Sequence, residues 1–207
     1  MNYIVLDMEW NQPEDFRKRI NNPVPLHGEI IQIGAVMMDD DMNEIGEFNT
    51  YIRPKFYRKL NKTVKELTNI DPADLRDGVG FEEAIRDFST WCGREAVLFT
   101  WGPSDIDMLE ANLNVNGLDE SWIPENFDAQ LMFDDLETME ERNFSLDYAV
   151  YYFGIKGGKA HDALNDARDT AAVIKQMDYR TWIEEEREYR AEIESEEMEL
   201  ELENEEL

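Results

Sequence analysis

The sequence predicts an α/β protein with a mixed central β-sheet flanked by helices. Three observations carry that expectation. Apolar runs of strand length crowd the first quarter of the chain, at residues 3–6, 30–38 and 48–52. Apolar residues at helical spacing then take over from about residue 64. One further short apolar run, 96–100, lies between helical segments. Strands first, with helices between the later ones, is the order of a mixed sheet that carries helices on its faces.

Taken in order, residues 2–9 form the first strand, and a loop rich in Asn and Pro follows over 11–25. Residues 30–38 are almost continuously apolar, as in a strand covered on both faces. Asp39-Asp40-Asp41-Met42-Asn43 is turn chemistry, and 48–52 returns as the hairpin partner. Helices are expected over 64–67 and 81–91, the second with Phe81, Ala84, Ile85 and Phe88 on one face. After the short strand at 96–100, helices follow near 106–113, 129–139 and 146–153. Gly154, Gly157 and Gly158 interrupt the pattern. From Ala163 the chain is helical to about Ile183, which gives one globular domain over 1–183 and an acidic Glu-rich helix or tail over 184–207.

A chain of 207 residues with 42% hydrophobic content can bury one good core. The single Cys92 rules out an intramolecular disulfide framework and a cysteine-based zinc site. No stretch reaches the roughly 20 apolar residues of a membrane span, and no basic region of a secretion signal opens the chain. A cytoplasmic location without a membrane partner is therefore expected. The net charge of −28 opposes nonspecific adhesion to nucleic acid, which arises mainly from counterion release by Lys and Arg. The charge is uneven. Residues 184–207 hold 13 Glu against Arg187 and Arg190, leaving −17 for the rest and making a basic protein the natural partner of that tail. Residues 53–65 hold six basic residues and no acid, with Phe56 and Tyr57 interleaved. That strip is either a solvated face or a contact surface for phosphates.

Four acids and one histidine stand out against this background. Asp7 and Glu9 lie two residues apart on the first strand and so project from the same face. Paired buried carboxylates repel unless a cation or a proton lies between them. Asp105 ends Trp101-Gly102-Pro103-Ser104-Asp105, and His161 precedes Asp166 by five residues at the start of a helix. Oxygen-only ligand sets suit Mg²⁺ or Mn²⁺, and two such ions clamp an in-line phosphoryl displacement. This is a nuclease-type constellation.

Asp7-Met8-Glu9, the Trp-Gly-x-x-Asp segment, and His161 with Asp166 in that order resemble the DEDDh group of 3′→5′ exonucleases, which share an RNase H-like fold. Glu29 to Val36 resembles that group's second strand, Leu67-Thr68-Asn69-Ile70 the segment bordering the substrate's 3′ end, and His161 to Ala172 its last motif. The likeness runs over about residues 3–177 and is nearest the sporulation-inhibitor-like and histone-mRNA-exonuclease-like subgroup. It implies an exonuclease domain over 1–183 that releases nucleoside 5′-monophosphates from the 3′ end of single-stranded RNA or DNA. Asp7, Glu9, Asp105 and Asp166 would then hold two divalent ions about 3.5–4 Å apart. His161 would be the general base, just after a Gly157-Gly158 hinge.

Met8 and Trp10, which flank Glu9, are the expected contacts to the terminal nucleotide, with Trp10 either stacking on a base or taking a core or loop-packing role. From the basic strip, Arg58, Lys59 and Lys62 are the expected phosphate contacts. His27 and Asp128 read as structural, Asp162 as a helix N-cap, and Asp169 as a support for Asp166. Two other readings fit the same residues: a noncatalytic interaction module on this fold, and a hydrolase of small phosphoesters.

Overall fold

The computed structural model describes residues 2–21, 25–93, 95–138 and 142–205. Its centre is β1 (Asn2–Asn11), the middle strand of a five-stranded sheet in the order β3-β2-β1-β4-β5. β1 pairs antiparallel with β2 (Glu29–Met38), which pairs antiparallel with β3 (Glu44–Tyr51). On its other side β1 runs parallel to β4 (Ala96–Thr100), and β4 runs parallel to β5 (Glu125–Asp128). The sheet is mixed, as its sequence order requires.

Alternation along β1 divides the core. Tyr3 and Val5 face a cluster that includes Leu164, Ala167 and Ala171 of α7 (Ala163–Ile174) and Trp182 and Ile183 of α8 (Tyr179–Glu205). Ile4, Leu6 and Met8 face the opposite cluster, which includes Phe88 of α3 (Phe81–Cys92) and Leu109 of α4 (Ser104–Asn116). A smaller third cluster packs Val64 of α1 (Lys62–Thr68) and Leu75 of α2 (Pro72–Asp77) against Ile31. α5 (Ala129–Phe133) and α6 (Leu146–Tyr152) complete the α7 side, with Phe133 and Ala149 buried.

Several elements differ from the sequence expectation. β3 begins at Glu44 rather than near residue 48, because backbone pairing with β2 continues through its exposed polar residues. β5 was not expected at all. It carries a single fully buried apolar side chain, Phe127, and forms the far edge of the sheet. α2 rests on a capping box between Asp71 and Asp74 with Pro72 at its first position. The helix expected over 129–139 is α5 followed by a π-turn over Asp134–Thr138, and Met139 lies outside the described residues. The helix expected from 163 to 183 breaks between Ile174 and Tyr179.

α8 is one continuous helix that runs through 183/184 into the Glu-rich segment. Its early turns dock: Arg187 pairs with Glu125 at 2.5 Å, and Arg190 lies 4.7 Å from the ring centroid of Phe127. Among the described residues, no helix is long and apolar enough to cross a membrane.

Candidate active site

Asp7 and Glu9 continue the Tyr3–Val5 face of β1 past the end of the apolar packing. In the sheet, Asp7 lies opposite Gly34 and Glu9 opposite Gln32, and a bulge after Glu9 re-aims the strand. α7 crosses this face. Asp162 caps it by accepting the N–H of Asn165 at 3.2 Å, and Asp166 lies in its first turn. His161, just before the cap, adopts a left-handed φ of 61° and donates its backbone N–H to Asp166 Oδ2 at 2.8 Å. Asp105 enters from the end of β4, as the second residue of α4. It is buried, and its Oδ1 accepts the backbone N–H of Met8 at 2.9 Å.

These segments meet. Glu9, His161 and Asp166 each present a ligand atom, and these atoms lie within 4.8 Å of one another. Asp7 sits within the same field. Burial pushes its carboxyl well above the usual range, and Asp105, Asp166, Glu9 and Asp162 push it further. Burial likewise lifts Glu9 to about 8, with added repulsion from Asp166 and Asp105. Asp105 is raised to about 7, mainly by burial, although the N–H of Met8 pulls the other way. Asp166 reaches about 6 by burial, partly offset by hydrogen bonding and charge from His161. Desolvated carboxylates crowded in this way are unfavourable as anions. The donor set is all carboxylate oxygen with one imidazole beside it, which suits hard divalent cations.

Packing places the other expected contacts. Met8 has its side chain in the core, 3% exposed, so it serves the site only through the N–H that holds Asp105. Trp10, past the bulge, packs partly against the same cluster as Met8. A Cβ placed on Gly28 would come within 2.5 Å of the Trp10 ring, so this half-buried indole packs on Gly28. Lys59 and Lys62 are exposed and make surface ion pairs, with Glu14 at 2.5 Å and Glu66 at 3.5 Å. Arg58 stays exposed, its Nε donating to the Lys55 carbonyl at 3.3 Å. His27 is exposed.

The surrounding polar residues act as braces. Asp128 accepts the N–H groups of Gly102, Gln130 and Leu131 and so ties the loop before Asp105 to α5. Asp169 accepts the Gly158 N–H at 2.8 Å and holds the loop before His161. Lys159 escaped the sequence reading. Its Nζ donates to the Thr68 carbonyl at 3.4 Å, and its charge lowers the pKa of Glu9. It thus bridges the end of α1 to the His161 loop, and its place after Gly157-Gly158 was the only signal available.

Residues 4–174 match the exonuclease family RNase T. The probable 3′-5′ exonuclease KapD of Bacillus subtilis is 29% identical over 181 residues, spanning 83% of this chain and 82% of that protein. ERI1 exoribonuclease 2 of Xenopus laevis is 24% identical over 179 residues, 72% of this chain and 25% of that one. Among solved structures, the nuclease domain of 3′hExo, a DEDDh family member bound to rAMP, has a TM-score of 0.71 at 17% identity and covers 84% of this chain and 90% of that chain. At that identity the structural likeness speaks for the fold alone.

Proposed function

The chain belongs to the exonuclease family RNase T, and from that premise we propose that it removes nucleotides stepwise from the 3′ end of single-stranded nucleic acid as nucleoside 5′-monophosphates. The observation that carries the reading is the convergence of Glu9, Asp166 and His161 within 4.8 Å, beside Asp7 and Asp105, in a setting that disfavours bare carboxylates.

Asp7, Glu9, Asp105 and Asp166 would hold two divalent cations, Mg²⁺ or Mn²⁺. When bound, such a pair lowers the pKa of water and offsets charge on the reacting phosphate. The rest belongs to the chain. His161 takes the proton of the attacking water as general base, its imidazole lying beside Glu9 and Asp166 at the start of α7. Met8 N–H fixes the buried oxygen of Asp105. Lys159 supplies a positive charge beside Glu9, where a scissile phosphate brings negative charge. His161 is exposed, which leaves the acids reachable by a strand end. A chain of net charge −28 gains little from coating long duplexes, so capture of a single 3′ end is favoured.

Single-stranded RNA and DNA of one sequence, labelled at the 5′ end and incubated with Mg²⁺ or Mn²⁺, test the reading. It requires a ladder of 5′-labelled products that shortens by one nucleotide at a time. Release of the label as a mononucleotide at the outset, or cutting only within the strand, would refute it. The relative rates on the two strands assign the sugar preference.

A further inference from the structure

In a chain with 48 acids and 20 Lys and Arg, about half of the described cations pair with a carboxylate. Arg17, Lys59, Lys62, Lys65, Arg86, Arg168, Arg180, Arg187 and Arg190 all do so. Four others converge on one cavity of about 810 Å³ with no carboxylate ion-pair partner among the described residues: Arg53, Lys55, Arg58 and Arg76. Their hydrogen bonds go to neutral oxygens. Arg53 donates to the Gly78 carbonyl at 3.1 Å, Lys55 to Asn116 Oδ1 at 3.0 Å, and Arg58 to the Lys55 carbonyl. Arg76 comes from α2, across the cavity from the β3–α1 loop. The rest of its lining is apolar: Leu60, Leu75, Pro54 and Pro72.

The loop carrying three of these cations is fixed to the catalytic strand. Asn11, at the end of β1, donates to the carbonyls of Tyr57 at 2.7 Å and Lys59 at 3.0 Å and accepts the N–H of Asn61 at 2.8 Å. Asn11 is two residues beyond Glu9, about 7 Å along a strand. The buried Glu29 carboxylate takes the backbone N–H groups of Lys55, Phe56 and Tyr57. The amides of Lys55, Phe56, Tyr57 and Asn61 are therefore satisfied within the protein.

We propose that this cavity is an anchoring subsite for single-stranded nucleic acid on the 5′ side of the scissile bond. The Arg forks and Lys55 grip phosphodiester oxygens, and the apolar lining receives a base. Guanidinium groups recognise phosphate bidentately and stack on planar rings, and a base against an apolar wall is bound with little regard to sequence. The proposal rests on the exonuclease reading, and it locates the upstream grip at Arg53 and Arg76 rather than at the ion-paired Lys59 and Lys62.

The test compares wild type, Arg53→Gln/Arg76→Gln, and a charge-matched control, Arg17→Gln/Arg86→Gln, on single strands from a dinucleotide to about twelve nucleotides. Wild type and control should show KM falling as the strand lengthens enough to reach the cavity. The Arg53→Gln/Arg76→Gln protein should lose that gain, with KM for the longest strand raised roughly tenfold and its binding less salt-dependent by about 0.7 in slope per lost phosphate contact. The dinucleotide, too short to span both places, is the internal reference for folding and chemistry. Identical length dependence in all three proteins would overturn the subsite. So would an equal loss in the control, which would reveal general charge attraction. Competition by inorganic phosphate with length dependence unchanged would make the cavity a small-anion site and overturn it too. Failure of the exonuclease reading looks different, since wild type would then shorten no strand of any length.

Discussion

Gly34 is the register partner of Asp7, and the backbone of α7 occupies the space that a side chain on Gly34 would need. A Cβ there would lie 2.2 Å from Leu164 N and 2.3 Å from the Ala163 carbonyl carbon. The absent side chain therefore sets how closely the helix bearing Asp166 approaches the strand bearing Asp7 and Glu9.

Gly34→Ala should consequently displace the start of α7 rather than a flexible side-chain tip. The expected cost is about 1–3 kcal/mol of stability, the usual range for overpacking, with a loss of turnover of at least about tenfold, since displacements near 1 Å at a reacting centre can cost more than that. Urea unfolding and steady-state kinetics on the same preparation check both. Full activity in a destabilised variant would show that the close approach serves packing alone.

His161→Asn tests the base. Asn tolerates the left-handed backbone that His161 adopts, so the loop should keep its course and its N–H bond to Asp166. Turnover should fall by roughly 10² to 10⁴, the worth of a general base. Calorimetric titration with Mn²⁺ should give nearly the wild-type affinity. An equal collapse of metal affinity would make His161 a ligand, a role its distance from Glu9 and Asp166 also permits.

The pH dependence of the metal-free protein follows from the acids. Glu9 is raised from 4.5 to about 8, and Asp105 and Asp166 from 3.8 to about 7 and about 6. A carboxyl raised on folding contributes stability that is present below its unfolded pKa and is lost as pH climbs through its folded value. Without metal, Tm should therefore decline between pH 5 and pH 8, and the Glu9→Gln variant should decline less. Because added cations bind the ionised folded state, the rise in Tm on adding Mn²⁺ should be larger at pH 8 than at pH 5. An equal rise at both, with identical slopes for Glu9→Gln and wild type, would contradict the assignment.

The sheet and the acid cluster were legible in the sequence for a simple reason: both depend on local periodicity and short spacings. Alternation along β1 brings Asp7 and Glu9 to one face. The same alternation sends Met8 to the other, where its side chain and part of the Trp10 ring join the core cluster. β5 was hidden because an edge strand with one buried side chain carries almost no apolar pattern. The basic strip was visible as composition, but which of its cations are free is decided by distant partners such as Glu14 and by Arg76 on α2. Lys159 reaches Thr68, 91 residues away in sequence, a contact no local pattern encodes.

The central claim is that the buried carboxylates act by holding divalent cations at a 3′ end, and Asp7→Ala tests it most directly. Turnover on a 5′-labelled single strand is measured for wild type and variant across a range of Mg²⁺ and Mn²⁺ concentrations and with chelator present, and the metal-free Tm is recorded for each. Wild type should be silent with chelator and active on readdition of metal. Asp7→Ala should keep a metal-free Tm at or above wild type, since a repelling carboxylate is gone, while its turnover stays at least about 10³-fold lower, about 4 kcal/mol of barrier, at every metal concentration. Stepwise shortening by chelated wild type, or near-normal turnover by Asp7→Ala, would contradict the account.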